Sequence, residues 1–360
     1  ALDKLLAMVP VDRIRADQAE QRKRGVYRGL GFASFIELTN PSPFMYGIGG
    51  ARISAQDGAT VRMDPDGSVV VMSGVTEQGQ GTEGILRQIV AHGVGVPLER
   101  VKVITGDTQT TPYGGGTWAC RGAGIGGEAA LQSAIALKQQ ILVVAGAMLQ
   151  AAPETLDIRM GQVVERETGR ERMPLGELGR IVYFRGDTLP KDLPRELVQT
   201  RHFITKEYPF AFTNGIQACW AEVDTDTGMV KVLEHWCVED CGRVINPLLV
   251  DEQIRGGIVQ GLGGALYEHC VYDEQGNLLT TTMADYLVPM SAEMPEMHVG
   301  HVETPTQESL LGAKGAGEAG TAGAPAALMN AINDALRPLG ARVTEQPFTP
   351  ARILRALGTI

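Results

Sequence analysis

The sequence contains few cysteines, and none is spaced like the ligands of a zinc or iron–sulfur site. The five cysteines lie far apart, except that Cys237 and Cys241 are four residues apart in a strand-like stretch. Zinc sites usually combine C-x-x-C pairs, and iron–sulfur sites use runs such as C-x4-C-x2-C. We therefore expect free thiols in a reducing compartment, which favours the cytoplasm and leaves the periplasm as an open alternative.

Positive charge and long apolar runs are also scarce. The 360 residues carry 32 Lys and Arg against 42 Asp and Glu, a net charge of −10, which argues against a nucleic-acid partner. The best apolar run, Ile141 to Leu149, is far shorter than the roughly 20 residues of a membrane-spanning helix, so no membrane span is predicted. The six histidines lack metal-ligand spacing, and we expect His298 and His301 to be solvated.

Glycine, in contrast, is abundant and clustered. The chain has 45 glycines, and many of them fall in four stretches rather than at a regular period. Glycine has no Cβ, so backbone N–H groups beside it can approach a ligand closely. The clustering therefore predicts binding sites lined by backbone, and it argues against collagen or disorder. The four stretches are 78–82, 114–127, 253–264 and 312–320.

The pattern of elements predicts an α+β fold of two α/β subdomains with mixed sheets, each ordered as hairpin, glycine-bearing turn and helix. Residues 1–24 are predicted to be a charged connector helix, 25–195 the first subdomain and 196–360 the second, with the boundary in the charged region 151–200. The hairpins are predicted at 60–72 and 215–238. Further strands are predicted at 25–38 and 101–104, and helices at 84–94, 128–150, 248–268, 326–336 and 348–357.

The first glycine stretch, Gln78-Gly79-Gln80-Gly81-Thr82, lies between a predicted strand and a predicted helix. One interpretation is a phosphate or pterin cradle, with glycines that permit close approach and glutamine amides that bond to a ring edge. The alternative is an ordinary glycine turn in which Thr82 caps the helix. Two glutamines around a glycine are unusual for a plain turn, so we favour the cradle.

The second stretch contains a formal G-x-G-x-x-G motif, Gly122 to Gly127, in front of a predicted helix. A Rossmann dinucleotide site needs a hydrophobic strand directly before that motif. Here the residues 117–121 precede it, and the nearest predicted strand lies behind a long loop. A nicotinamide dehydrogenase is therefore only a third hypothesis. A glycine-lined helix start beside Arg121 still suits a pyrophosphate.

The third stretch lies within the predicted helix 248–268. Gln253 and Gln260 are seven residues apart and share a face, with five glycines around them. Each glycine inside a helix costs about 1 kcal/mol relative to alanine, so a close approach is expected. The partner is either a cofactor or another helix. Helix packing is equally expected for Gly256 and Gly257, and less expected for the group from Gln260 to Gly263.

The fourth stretch, Leu310 to Pro325, places glycines around one carboxylate, Glu318, and precedes a predicted helix. Glu318 is either a base held close to a reacting group or a negative charge at a helix N-terminus.

Four motifs in this order resemble the molybdopterin-binding half of the molybdenum hydroxylases, the xanthine oxidase and aldehyde oxidoreductase family. They are Thr76 to Thr82, Gly114 to Gly127, Asn246-Pro247 through Gln253 to Gly264, and Lys314 to Gly320. The resemblance implies a molybdopterin cofactor with molybdenum, held by non-covalent contacts and without an obligatory protein ligand to the metal. It implies Glu318 as the catalytic base, because the family carries that base in its Gly-Glu motif. The implied cofactor-binding residues are Gln78, Gly79, Gln80, Gly81, Thr82, Arg121, Gly122, Ala123, Gln253, Gln260, Lys314, Gly315, Ala316 and Gly317.

The resemblance further implies oxidation of an aldehyde or an aromatic N-heterocycle, with water as the oxygen source. Electrons would pass to iron–sulfur centres and FAD, which must lie on partner domains or subunits because this chain lacks the cysteine pattern. An N-terminal half of the molybdenum subunit is expected as a further partner, and a homodimer of the assembly is left open. So is the cytosine dinucleotide form of the pterin. Substrate determinants are expected in the other half and in loops such as Pro41 to Gly50. The alternative is a non-catalytic module that binds the cofactor or a partner and is inactive without the other half.

Overall fold

The computed structural model describes residues 1–206 and 210–360. This part of the chain contains eight α-helices and eleven strands, which confirms the mixed α and β fold. The helices are α1 Leu2–Met8, α2 Val11–Arg22, α3 Thr82–Val94, α4 Glu128–Leu149, α5 Leu175–Phe184, α6 Pro247–Leu266, α7 Ala319–Leu336 and α8 Pro350–Leu357. The strands are β1 Tyr27–Thr39, β2 Asp57–Met63, β3 Val69–Ser73, β4 Val101–Ile104, β5 Leu156–Arg159, β6 Gln162–Glu165, β7 Glu171–Pro174, β8 Val198–Phe203, β9 Ala211–Val223, β10 Val230–Asp240 and β11 Glu296–His301.

The chain divides into two compact units, each assembled from separate segments. Unit 1 consists of Ala1–Glu37, Phe212–Thr304 and Ala316–Ile360, and unit 2 of Leu38–Ala211 and Pro305–Gly315. The sequence predicted a linear division between residues 195 and 196. The observed units differ because β1 pairs with β9 in the sheet of unit 1, which brings the N-terminal segment to the C-terminal part of the chain.

Unit 1 contains a four-stranded sheet with the order β1-β9-β10-β11. The predicted hairpin is present as the antiparallel pair β9 and β10, and β11 adds to β10 in parallel. Helices α6 and α7 pack closely against each other because their contact is lined by small residues. A Cβ added to Gly320 would lie 2.2 Å from the carbonyl oxygen of Ile254, and one added to Gly261 would lie 2.9 Å from the Cβ of Ala324.

The N-terminal segment is two helices rather than one, and it packs within unit 1. Pro10 separates α1 from α2. Leu5 and Ile14 are fully buried in a cluster with Leu30 and Trp236 of the sheet. The segment predicted to be a connector therefore contributes to the core of its own unit.

Unit 2 contains the first predicted hairpin in a four-stranded sheet with the order β4-β3-β2-β8. Strand β2 pairs antiparallel with β3 and β8, and β3 pairs parallel with β4. Helices α3 and α4 pack together, and α4 also contacts β2 and β8. A second, antiparallel sheet, β5-β6-β7, lies in the charged region that had been read without elements.

Within residues 1–206 and 210–360, one helix is long and apolar enough to cross a membrane by length and composition, namely residues 122–149, which include α4. It is longer than the apolar run Ile141 to Leu149 that the sequence shows. About 50% of its apolar window is buried inside the protein. Since α4 packs on α3, β2 and β8, we interpret it as a core helix of unit 2.

His301 lies at the end of β11, between two carboxylates. Its Nδ1 is 2.5 Å from Oε1 of Glu239, and its Nε2 is 2.5 Å from Oδ1 of Asp251. The expectation of a solvated histidine is therefore wrong for His301. Hydrogen bonding to Glu239 raises the pKa of His301 above its ordinary value, partial burial opposes the rise, and the bond to Asp251 adds to it.

This arrangement predicts a pH dependence of stability. A histidine whose folded-state pKa is raised stabilises the protein fully below its unfolded pKa of about 6.5, and that stabilisation is lost as the pH rises through the folded-state value. We expect the free energy of unfolding to fall above about pH 6.5 and the fall to shrink in His301→Gln, as measured by urea unfolding across that range. The control is His269→Gln, since His269 is an exposed histidine of the same unit. An identical pH profile for His301→Gln and the unmodified chain would contradict the prediction.

Candidate functional site

The loop that precedes α3 is folded around the carboxylate of Glu77. The backbone N–H groups of Gln78, Gly79, Gly81 and Glu83 all donate to it, at 3.1, 2.8, 3.2 and 2.8 Å. Burial by itself would raise the pKa of Glu77, but these four donors lower it below its ordinary value. The protein therefore supplies its own anion at this helix start.

This finding argues against the phosphate form of the predicted phosphate or pterin cradle, because Glu77 already accepts from the backbone N–H groups of the loop. The glycines are still required, since Gly79 and Gly81 have φ angles of 97° and 82°. A Cβ added to Gly79 would meet nothing within 4 Å, so the loop is open to approach at that position.

The two glutamines of the loop have different roles. The side chain of Gln80 is fully engaged: its Nε2 donates to the Thr76 carbonyl at 3.0 Å and to the Thr82 hydroxyl at 2.8 Å, and its Oε1 accepts from the N–H of Gln78 at 2.5 Å. Gln80 thus stabilises the conformation of the loop. Gln78 is exposed, so its side-chain amide is the one placed to reach a ligand.

The loop 114–122 is held against this first loop. The N–H and carbonyl of Thr76 both bond to the Thr117 hydroxyl, at 2.9 and 2.7 Å. Ala119 and Cys120 adopt φ angles of 46° and 51°, which are unusual for residues other than glycine. Such backbone conformations cost on the order of 1–3 kcal/mol each and are concentrated at functional sites.

Arg121 does not offer its guanidinium to solvent. It is fully buried, lies 3.1 Å from the carboxylate of Asp57, and donates to the carbonyls of Gly116 and Gln56 at 2.8 and 2.6 Å. Burial raises the pKa of Asp57 to about 6, and the positive charge of Arg121 opposes that rise. In place of a pyrophosphate partner, the side chain of Arg121 is an internal support of the 114–122 loop.

The G-x-G-x-x-G motif forms a π-helical turn, Gly122–Gly127, that continues into α4. A Cβ at Gly124 would collide with Asn40, and one at Gly126 with Val75, so these glycines permit close packing. Strand β4 ends at Ile104, far from the motif in sequence. The geometry does not match a Rossmann site. Gly122 is less crowded, with the Thr82 hydroxyl 3.4 Å from its added Cβ, and Ala123 is half-buried.

The segment 311–315 of unit 2 contacts the 114–122 loop, the start of α4 and the end of β1. The N–H of Leu311 donates to Glu128 at 2.8 Å, and the carbonyl of Ala313 accepts from Asn40 at 3.0 Å. Gly315 must be glycine because an added Cβ would lie 2.1 Å from the Cβ of Cys120. Unit 2 therefore brings together Gln78, Gly79, Gln80, Gly81, Thr82, Arg121, Gly122, Ala123, Lys314 and Gly315.

The other predicted residues, Gln253, Gln260, Ala316, Gly317 and Glu318, belong to unit 1. Gln260 is exposed, and its Oε1 accepts from the Thr321 hydroxyl at 3.3 Å, which connects α6 to the start of α7. Gln253 is half-buried on α6.

Two glycines of α6 serve helix packing rather than the predicted cofactor face. Gly257 lies against Gly320 and Gly261 against Ala324. The correction is clearest for Gly261, for which packing was the less expected role. Gly256 and Gly264 differ, since an added Cβ at either position would meet nothing within 4 Å.

Glu318 is exposed and lies directly before α7. Its backbone carbonyl accepts from the N–H groups of Thr321 and Ala322, but its side chain makes no capping hydrogen bond to the helix. The position of Glu318 directly before α7 is therefore compatible with both interpretations, a base or a negative charge at the helix N-terminus.

Four residues that shape the site were missed: Asp57, Glu77, Asn40 and Glu128. Glu77 adjoins the first glycine stretch, and its position before Q-G-Q-G could have identified it as the partner of the loop amides. The other three lie outside the motifs that were singled out, and only the tertiary contacts reveal them.

Comparison with known proteins identifies the family. Residues 4–295 match the molybdopterin cofactor-binding domain. The chain belongs to this family. It is 39% identical over 355 residues to the nicotine 6-hydroxylase large subunit of Paenarthrobacter nicotinovorans. This alignment covers 99% of this chain and 43% of that protein. It is 30% identical to the carbon monoxide dehydrogenase large chain of Hydrogenophaga pseudoflava, with coverages of 99% and 44%.

Solved structures agree with this family assignment. The quinoline 2-oxidoreductase of Pseudomonas putida 86 superposes with a TM-score of 0.90 at 37% identity, over 99% of this chain and 45% of that chain. The chain thus spans less than half the length of the relatives it matches. The family match ends before Lys314, whereas the alignment with the nicotine 6-hydroxylase subunit covers almost the whole chain.

The molybdopterin cofactor fits what the loops of unit 2 offer. Gly79 and Gly116 have φ angles of 97° and 73°, and an added Cβ would meet nothing within 4 Å at either position. Such positions allow a planar group to approach the backbone closely. The exposed amide of Gln78 both donates and accepts, which suits the edge of a pterin ring.

Proposed function

We propose that this chain is the cofactor-binding, base-bearing part of the large subunit of a molybdenum hydroxylase. The observation that carries the proposal is the joining of three glycine-bearing loops in unit 2, 76–82, 114–122 and 311–315. The exposed Glu318 at the start of α7 supports it. Within the proposal, Gln78, Gly122, Ala123, Lys314 and Gly315 hold the pterin, and Arg121 and Gln80 keep their loops in shape.

A bound molybdenum cofactor would supply the two-electron oxidation of the substrate, with water as the source of oxygen. The residues of this chain would bind and orient the cofactor, and the Glu318 carboxylate would accept the proton that the water releases. Gln253 and Gln260 of α6, with Ala316 and Gly317, remain proposed cofactor contacts.

We further propose an aromatic N-heterocycle as the substrate class. The names of the relatives at 39% and 37% identity refer to nicotine and quinoline, both of which contain such a ring. The loop from Pro41 to Gly50 presents exposed Phe44, Tyr46 and Ile48, which suits an apolar ring.

The proposed assembly contains the other half of the large subunit, an iron–sulfur subunit and an FAD subunit. The relatives support this, since they are named large subunits and are more than twice as long as this chain. The cytosine dinucleotide form of the pterin, a homodimer of the assembly and a cytoplasmic location remain parts of the proposal.

The proposal predicts that the protein purified with its partners contains about one molybdenum and one pterin per chain. Elemental analysis and pterin fluorescence measure both, and mass spectrometry of the released nucleotide tests for the cytosine form. Removing the cofactor should abolish hydroxylation of an N-heterocycle. A non-catalytic module would instead bind pterin or a partner with no turnover in the complete assembly, and an assembly without molybdenum would refute the proposal.

A further inference from the structure

The segment before the Gly-Glu motif, Leu311 to Ala313, is hydrogen-bonded to the rest of unit 2 at two buried points. The Leu311 N–H donates to Oε2 of Glu128 at 2.8 Å, and the Asn40 side-chain amide donates to the Ala313 carbonyl at 3.0 Å. Glu128 is fully buried, and Asn40 is 3% exposed. Water therefore does not compete for either hydrogen bond, which makes both of them strong constraints on the backbone.

Glu128 is an unusual residue to bury, because its carboxylate has no ion pair among the residues that the structure describes. Its other oxygen accepts from the side-chain amide of Gln132 at 2.8 Å, one turn further along α4. Burying a carboxylate with neutral donors alone is costly, so a hydrophobic residue would serve packing better. A carboxylate at this position differs from a hydrophobic side chain in that it accepts the hydrogen bond from the Leu311 N–H.

Asn40 completes the arrangement from the end of β1. It has a φ angle of 47°, a conformation that Asn tolerates better than most residues. Gly124 leaves room for it, since a Cβ there would lie 2.1 Å from the Asn40 amide. Its Oδ1 is buried and has no hydrogen-bond partner among the described residues. Burying this unpaired oxygen costs free energy, which the bond to Ala313 partly offsets.

We infer that Glu128 and Asn40 are positioning residues that hold the backbone of Leu311 to Ala313 so that Gly315, directly after Lys314, lies against Cys120. Glu128 follows directly on the turn that carries Gly122 and Ala123. The same helix start thus fixes two of the stretches proposed to contact the cofactor. The inference rests on the proposed function for its cofactor readout, but the fastening itself is measurable without cofactor.

The test compares Glu128→Leu with Glu128→Gln in the large subunit assembled with its partners. The glutamine keeps an oxygen that accepts from the Leu311 N–H, whereas leucine removes the acceptor. We expect Glu128→Leu to lower molybdenum and pterin content about 10-fold, the factor that corresponds to the loss of one hydrogen bond of about 1.4 kcal/mol. Glu128→Gln should restore the content. Hydrogen exchange of the amides 311–315 should accelerate in the leucine variant alone.

A second variant and a control keep the test decisive if Glu128→Leu folds poorly. Asn40→Asp is isosteric, tolerates the same φ and removes the donor to Ala313, so we expect the same losses. Ser133→Ala removes another buried hydrogen bond of α4, from its hydroxyl to Ala59 at 2.8 Å, which does not touch the segment. In Ser133→Ala the free energy of unfolding should fall, whereas the cofactor content and the hydrogen exchange of amides 311–315 should be unchanged.

The inference is overturned if both Glu128→Leu and Asn40→Asp keep full cofactor content and slow exchange at 311–315. It is also overturned if Glu128→Gln fails as completely as Glu128→Leu, since the negative charge would then matter rather than the acceptor. Absence of molybdenum from the unmodified assembly would instead count against the proposed function, while the exchange measurement would still decide the role of Glu128.

Discussion

Replacing Glu318 with glutamine is expected to lower the turnover of the assembled enzyme by about 10²–10⁴-fold, the usual contribution of a general base. The variant keeps the shape of the side chain but cannot accept a proton at the working pH. Because Glu318 is exposed and glutamine keeps nearly the same side-chain shape, we expect the fold to be retained. Molybdenum and pterin content should equal those of the unmodified protein, and steady-state kinetics with an N-heterocycle measures the loss.

Two further variants separate the base from a helix charge. Glu318→Asp keeps the negative charge before α7, which as a helix–dipole effect is worth about 0.3–1 kcal/mol, but moves the carboxylate by one methylene. A base should lose activity in this variant, whereas a helix charge should not. Glu345→Gln removes an exposed carboxylate of the same unit and serves as the matched charge control. Near-normal turnover of Glu318→Gln would remove Glu318 from the proposed mechanism.

Local sequence patterns were enough to predict most of the regular elements. Strand β4 has the predicted bounds, Val101–Ile104, and both predicted hairpins are present. Helix α7 begins at Ala319, seven residues before the predicted start, although it includes glycines and Pro325. Local propensity argues against a helix there. Close packing on α6 requires small residues at that place, and this tertiary contact outweighs the propensity.

The composition of unit 2 could not be predicted in the same way. The segment Pro305–Gly315 belongs to a unit whose other residues end at Ala211, and its membership depends on contacts such as that between Leu311 and Glu128. A sequence pattern reports periodicity along the chain but not which distant segment donates to a buried carboxylate. The predicted boundary between residues 195 and 196 was wrong for this reason.

The candidate site shows the same limit. Glycine density marked segments at which backbones approach closely, such as the 76–82 and 114–122 loops, which are joined by hydrogen bonds between Thr76 and Thr117. It did not distinguish approach to a ligand from approach to another part of the protein. Gly79 is open, whereas Gly124 and Gly261 are filled by Asn40 and Ala324. In the same way, the charge of Arg121 suggested an anionic ligand, and the anion that it meets is Asp57.

That pair gives the second large expected effect. Replacing Arg121 with methionine should destabilise unit 2 by about 3–5 kcal/mol, because it leaves the carboxylate of Asp57 buried without a cation. Both side chains are fully buried, and Gly74 and Gly114 pack so closely on Asp57 that water has little room to enter. Urea unfolding measures the loss. Trp118 is a reporter, since its ring lies 5.5 Å from the guanidinium.

The pH dependence of this loss identifies its cause. Asp57 has a folded-state pKa of about 6 against an ordinary value of 3.8, so the folded state binds its proton more tightly than the unfolded state. Its contribution is fully present below the ordinary pKa and falls, by about 3 kcal/mol, as the pH rises through the folded-state value. Without Arg121 the pKa rises further. The fall in stability of Arg121→Met should therefore be larger and extend to higher pH.

A double-mutant cycle completes the argument. Asp57→Asn is nearly isosteric and removes the charge, so adding it to Arg121→Met should recover part of the lost stability and flatten the pH profile. A coupling energy of 0.5–3 kcal/mol is typical of residues in direct contact, and we expect this pair at about the upper end because neither is exposed. Additive effects of the two changes would show that Arg121 supports its loop through the Gly116 and Gln56 carbonyls and not through Asp57. Cofactor content should follow the stability of the 114–122 loop in either case, because Cys120 and Gly122 belong to it.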